Sequence, residues 1–357
     1  MKKELVNTVL SVVIITGLLA SCGKTETSET DGGESEKIVD TEGYDFSNDQ
    51  TFDITAGGIQ SSDDLVTLAM QEMADIVSEK SDGTINITVS PASQLGDATS
   101  QMEAVSLGTQ EIFVDAGSWL STFVDDALVT SMFFLFEDAD HYKAFLESTI
   151  CADMEQQLIE QEGIRIIANN WLRAPRSIVS AVEINAADDL EGLKMRVPDI
   201  KSYMESATAL GLGTAQVAWG ETYLALQQGV VDACEAPLDS IYTMKFYETT
   251  NRVTLTEHIR DNAAVYMNDD LYNQMSDAQK QVLSEAAKEA GEWYTTEIDV
   301  ISHEYKEIME SEGTVFAVPS DAAIADMTEV VAERAKELER EGLWKEGLFE
   351  GIRALAQ

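Results

Sequence analysis

Between Phe52 and Asp115 the chain alternates strand-like and helix-like segments, and this rhythm constrains its fold more than any other feature. Phe52 to Ala56 reads as a short strand closed by Gly57-Gly58. Ser62-Asp63-Asp64 caps a helix whose Leu65, Leu68, Ala69, Met73 and Ile76 recur at helical spacing. Asp82-Gly83 marks a turn, Thr84 to Val89 alternates as a strand, Gln101 to Leu107 is helical and stops at Gly108, and Glu111 to Asp115 is a buried strand. A βαβα succession argues for an α/β lobe with a largely parallel sheet. Ligands on such sheets sit beyond the carboxyl ends of the strands.

Further on, the Ser131 to Phe136 block (SMFFLF) reads as core, because aromatic rings supply much of the buried area. Asp140 to Gln161 reads as one helix ended by Gly163, followed by a strand over Ile164 to Ala168. Asp188 to Gly192 is a turn before a strand over Leu193 to Val197. Helices follow over Ile200 to Leu210 and Gly220 to Gln228, then a long one capped by Ser276 and running to about Tyr305, then one over Asp321 to Glu341.

At the N-terminus, Lys2 and Lys3 precede an apolar run from Val9 to Leu19 that ends in Leu19-Ala20-Ser21-Cys22. The run is shorter than the roughly 20 residues a membrane-spanning helix needs, and it suits the apolar region of an export signal. Small residues before a Cys resemble the lipobox of bacterial lipoproteins, with Cys22 as the lipidation site over a 1–22 signal. Residues 23–50 contain almost no large apolar groups and read as an acidic, disordered tether. These features predict an extracytoplasmic protein, lipid-anchored to the outer face of the cell membrane or periplasmic.

A formal net charge of −42 excludes a nucleic-acid binder and argues against docking on anionic lipids. If the ligand is an anion, local Arg residues must overcome that field. After Cys22 only Cys151 and Cys234 remain, and no Cys/His cluster suggests a metal site. An oxidising compartment would allow a Cys151–Cys234 disulfide, but their spacing requires no bridge, so two unpaired thiols are favoured. No G-x-S-x-G elbow, P-loop or H-E-x-x-H is present, and His141, His258 and His303 are scattered, so no enzyme is expected.

The ordered segments PASQLGDATSQMEAVSLGTQEI, DLEGLKMRVP, ETYLALQQGVVD, KFYETTNRVTLTEH and MSDAQKQVLSEAAKEAGEW resemble the DctP-like solute-binding subunits of tripartite ATP-independent periplasmic (TRAP) transporters. The resemblance covers about residues 51–310. It implies a two-lobed periplasmic-binding-protein-like α/β fold with a central cleft, crossing strands and a long helix spanning both lobes. Lobe one would be 51–173 plus 262–301, and lobe two 174–261 plus 302–357. The implied ligand is a small organic carboxylate, with a sugar acid such as a uronate favoured. The implied partners are the transporter's membrane subunits, with no cofactor. A sensor presenting the same acid to a membrane receptor is the alternative.

Arg196, in GLKMRVP, matches the family's carboxylate-pairing Arg, a role that suits a planar, permanently charged fork. Arg176 matches a second family Arg, with a structural ion pair as its other reading, though Arg173 is the more structural candidate. Trp219 stands where relatives carry an aromatic over the ligand. Asp199 either accepts from ligand hydroxyls or caps the helix starting at Ile200. Trp119 and Gln60, at strand ends, complete the candidate set with Glu235 and Ala236. Many relatives carry Asn at the position of Ala236, so the ligand's carboxylate here has fewer donors or more room.

Overall fold

The computed structural model describes residues 41 and 43–356. The expected export signal, Cys22 and the expected tether up to residue 40 lie outside the described residues. Eleven strands occur in the described part: β1 (Phe52–Gly57), β2 (Ile85–Ser90), β3 (Ile112–Ala116), β4 (Ile164–Leu172), β5 (Arg176–Ser180), β6 (Lys194–Val197), β7 (Gly213–Gln216), β8 (Ala233–Pro237), β9 (Arg252–Ile259), β10 (Asn262–Asn268) and β11 (Val315–Ala317). They form two sheets, ordered β2-β1-β3-β10-β4 and β11-β9-β5-β8-β6-β7.

The alternation of Phe52, Ile54 and Ala56 buries one side of β1 under the Leu65–Lys80 helix, whose Leu65, Met70, Met73 and Val77 are buried. Asp64 caps that helix by accepting from Val66 N. The β2-β1-β3 half of the first sheet is parallel, as the βαβα rhythm predicts. The other half departs from that expectation, because β10 runs antiparallel to both β3 and β4. The second sheet is mixed too: β5 pairs antiparallel with β8 and β9, while β6 is parallel to β7 and β8. The cause is chain crossing. The chain leaves the first sheet after β4 and returns to it after β9, so the returning strand enters from the opposite direction. At the crossings Arg173 N donates to Asp261 O at 3.1 Å.

A helix of 35 residues, Asp277–Ser311, packs on β4 of the first sheet and on the Leu238–Thr243 helix that follows β8 of the second. At ~1.5 Å per residue it is about 50 Å long. Ser276 and Gln279 form a reciprocal cap at its start. Trp171 of β4 lies flat on this helix, donating from Nε1 to Ala287 O at 2.8 Å and stacking on Tyr294. Only Gly fits at position 291, because a Cβ there would stand 2.2 Å from Trp171 Cδ1. Thr295 Oγ1 accepts from Leu172 N at 3.0 Å beside it.

Two expectations of local structure are corrected. The segment 140–161 is two helices, Ala139–Leu146 and Thr149–Glu162, because Ser148 caps a new start by accepting from Cys151 N. The tether ends earlier than residue 50. Phe46 is buried on Ala278 and Val282 with Tyr44 beside it, and Ser276 Oγ donates to Asp49 at 2.8 Å. Two aromatic rings in a polar stretch had enough apolar area to dock.

Met132, Phe133, Leu135 and Phe136 are buried, with Phe133 edge-on to Tyr203 and 4.5 Å from the His258 ring. The C-terminal part does not stay with the second sheet throughout. The Asp321–Arg340 helix packs there through Arg334–Glu205 at 2.9 Å, but Ile352 O meets His141 at 2.9 Å and Lys345 N donates to Asp126 at 2.8 Å. Cys151 and Cys234 are both buried free thiols. No helix among the described residues is long and apolar enough to cross a membrane.

Candidate ligand-binding site

The carboxyl ends of β1 and β3 face those of β6 and β7 across a cleft, the place where open α/β sheets collect ligands. The cleft has two connected chambers. The inner one, about 30 Å³, has room for one water-sized group and is lined by Gln60, Asp115, Trp119, Arg173, Arg176, Arg196, Tyr203 and Trp219. The outer one, about 380 Å³, shares Ile59, Trp119, Arg196, Pro198 and Trp219 and adds Asp97, Glu103, Asp199 and Gln216.

Arg196 follows Met195 on β6, held between β7 and β8. Its Nε donates to Val217 O at 2.8 Å, and its guanidinium lies 5.4 Å from the centre of the Trp219 ring. Among the described residues no carboxylate forms an ion pair with it. It is only 4 % exposed, and burial pushes it below the ordinary Arg range. A buried guanidinium with its outer N–H groups facing a chamber is a site for an anion brought from outside.

The other two Arg residues are partnered. Arg176 forks onto Glu235, with Nη2 2.8 Å from Oε1 and a second contact from Nε to Oε2. Burial works against both charges, yet the pairing holds Arg176 well above its usual range and Glu235 down at about 2. His258 stands 3.7 Å from the same carboxylate, and burial lowers its imidazole below the ordinary value. Arg173 sits 3.6 Å from Asp115 and 3.9 Å from Asp261. Asp115 also accepts from Gln60 Nε2 at 3.1 Å and Trp119 Nε1 at 2.9 Å.

The structure therefore brings Arg196, Trp219, Trp119, Gln60 and Arg176 to the inner chamber and Asp199 to the outer one. Asp199 does not cap the following helix: its carboxylate accepts from Gln216, and the Lys201–Ala209 helix has no side-chain cap. Glu235 and Ala236 are fully buried behind the cleft and line neither chamber, because β8 is an interior strand and Glu235 is engaged by Arg176. Asp115 and Tyr203 line the inner chamber without having been singled out. For Asp115 a signal existed, since an acidic residue stands next to the end of an otherwise apolar strand, IFVDA. Tyr203 sits on a helix whose facing partner only the fold reveals. Among the described residues no cluster of three or more His, Cys, Asp or Glu could hold a metal ion.

Two α/β lobes about a cleft with an unpaired buried guanidinium define a solute-binding protein. The description "bacterial extracellular solute-binding protein, family 7" matches residues 56–341. The chain is 28% identical to the sialic acid-binding periplasmic protein SiaP of Vibrio cholerae, over 69% of this chain and 77% of that protein. Among solved structures, a TRAP periplasmic solute-binding protein from Roseobacter denitrificans with bound L-galactonate has a TM-score of 0.79 at 24% identity, covering 86% of this chain and 99% of that one. The sugar acid-binding protein of Advenella mimigardefordensis in complex with galactonate has a TM-score of 0.81 at 21% identity, covering 86% and 98%. The chain belongs to the bacterial extracellular solute-binding protein family 7, the solute-binding subunits of TRAP transporters.

Proposed function

We propose that this subunit captures a hydroxylated monoacid of the aldonate or uronate kind, fixing its carboxylate on Arg196 at the mouth of the inner chamber. The observation that carries the reading is the Arg196 guanidinium, buried, free of any carboxylate partner and facing both chambers. The outer chamber falls in the usual range for small-molecule pockets, roughly 300–1,000 Å³. Its Asp199, Gln216 and Ser100 are partners for hydroxyl groups. Trp219, whose ring lines both chambers, covers the ligand. Closure excludes water and strengthens the ionic contact.

The relatives named above bind sialic acid and galactonate, which supports the ligand class. Arg176 acts here as support rather than as the anchor, since Glu235 occupies its fork. The reading divides the folded part near 173/174 and 261/262, where the chain crosses between the sheets. It places the protein outside the cytoplasm, tied to the membrane by lipid on Cys22, and passing its ligand unchanged to the transporter's membrane subunits.

The test is calorimetry with L-galactonate and galacturonate on the wild type and on Arg196→Ala. Leaving a buried carboxylate without its partner costs about 3–5 kcal/mol, or roughly two to three and a half orders of magnitude in affinity. Unchanged affinity in Arg196→Ala would overturn the assignment.

A further inference from the structure

We infer that the cleft is electrically polarised, and that this polarity confines the ligand to acids with one negative charge, refusing the matching dicarboxylates. The inference rests on the reading that Arg196 holds a carboxylate. At the inner end stand three guanidinium groups; Arg173 and Arg176 are matched by Asp115, Asp261 and Glu235, so Arg196 is the positive charge left over. At the outer end stand Asp97, Glu103 and Asp199, and among the described residues the only cation lining that chamber is Arg196, which it shares with the inner one.

The acidic end is held in place. Asp97 accepts from Ser100 N at 2.9 Å as the cap of the Ala98–Ser106 helix, and the Ser100 hydroxyl together with that N–H holds its carboxyl below the usual range, so it is ionised at neutral pH. Asp199 is fixed by the Gln216 amide, whose nitrogen must face the carboxylate because a carboxylate can only accept. One buried donor stands between these ends: Arg196, at 4 % exposure, lines both chambers, with Trp219 beside it. A guanidinium can only donate, so it serves the acid end of a ligand.

A ligand whose carboxylate reaches Arg196 must therefore present its far end to carboxylates. Hydroxyl groups suit that end, because each donates a hydrogen bond to an acceptor that has none to give back. A second carboxylate cannot donate and meets like charge, an arrangement that discriminates by repulsion rather than by added attraction. The three acids are exposed, so the effect is open to screening by salt, whereas the buried Arg196 contact is screened much less.

The matched pair is L-galactonate and galactarate, which differ by oxidation of the far terminal carbon to a carboxylate. In low salt, calorimetry should give at least 100-fold weaker binding of galactarate. In 1 M NaCl, where the Debye length falls to about 3 Å, the ratio should shrink at least tenfold. In a triple variant, Asp97→Asn, Glu103→Gln and Asp199→Asn, the low-salt ratio should shrink by a similar factor; Asn at 97 keeps the helix cap. Equal binding of the two acids to the wild type overturns the inference and leaves the proposed function standing. A large ratio that neither salt nor the triple variant narrows also overturns it, because the exclusion is then one of size. Failure of galactonate and other sugar acids to bind at all removes the proposed function itself.

Discussion

Replacing Asp64 with Asn should stabilise the ligand-free protein at neutral pH and leave it unchanged near pH 4. Asp64 is fully buried where the two lobes meet. Its carboxylate accepts from Val66 N at 3.0 Å on its own helix, and from Ser240 Oγ at 3.3 Å and Thr243 Oγ1 at 3.1 Å on the Leu238–Thr243 helix opposite. The charged groups facing it are Asp239, itself fully buried, and Arg173; Tyr294 of the long helix borders the same cluster. Burial first, and the Asp239 charge second, raise the Asp64 carboxyl to about 7, against the pull of Arg173 and the Val66 amide. In the unfolded chain it titrates near 3.9. The folded state thus binds the proton more tightly, so this group costs nothing below pH 4, and its cost grows as pH rises, reaching its full size above pH 7. That full size is about 4 kcal/mol. Asn keeps the cap and gives up a favourable charge at a helix start, worth roughly 0.3–1 kcal/mol. Urea unfolding at pH 4, 5.5 and 7.5 should show Asp64→Asn gaining about 3 kcal/mol at the highest pH, less at the middle one, and nothing at the lowest. A difference that is the same at all three, or a variant weaker than the wild type at pH 7.5, refutes the argument.

Glu235→Gln leaves the buried Arg176 charge without its fork and should cost about 3–5 kcal/mol in urea unfolding at pH 7. In the wild type the same carboxylate, held down at about 2, supports stability above its unfolded value of about 4.3, and that support should fade as pH drops from about 4 to 2. Gly291→Ala drives a methyl group into Trp171 and Asn170, so the melting temperature should fall, reflecting about 1–3 kcal/mol of overpacking.

Local features of the chain were readable because their causes are local. Asp64, Ser276 and Gly163 mark helix ends through capping and left-handed geometry, and each does so here. Arg196 stood out because a cation closing the short strand KMRV matched a family position. What escaped depends on contacts between distant segments. The antiparallel entry of β10 follows from the chain crossing back, which no window of residues records. Glu235 looked like a ligand contact beside Arg176, and only the pairing of β5 with β8 shows that the two satisfy each other behind the cleft. Ser148 was hidden inside an apparently continuous helical pattern, because a one-residue cap barely disturbs the periodicity on either side.

Residues 44–50 are fastened to the start of the long helix and run directly into β1. A tug on the upstream chain is therefore delivered to the first sheet and the helix start. It reaches the second sheet through the two crossings, the helix body and direct contacts such as Asp64 with Ser240 and Thr243. None of the residues that hold this segment, Ser276, Ala278, Gln279 and Val282, lines either chamber, so a load entering there meets the molecule away from its cleft.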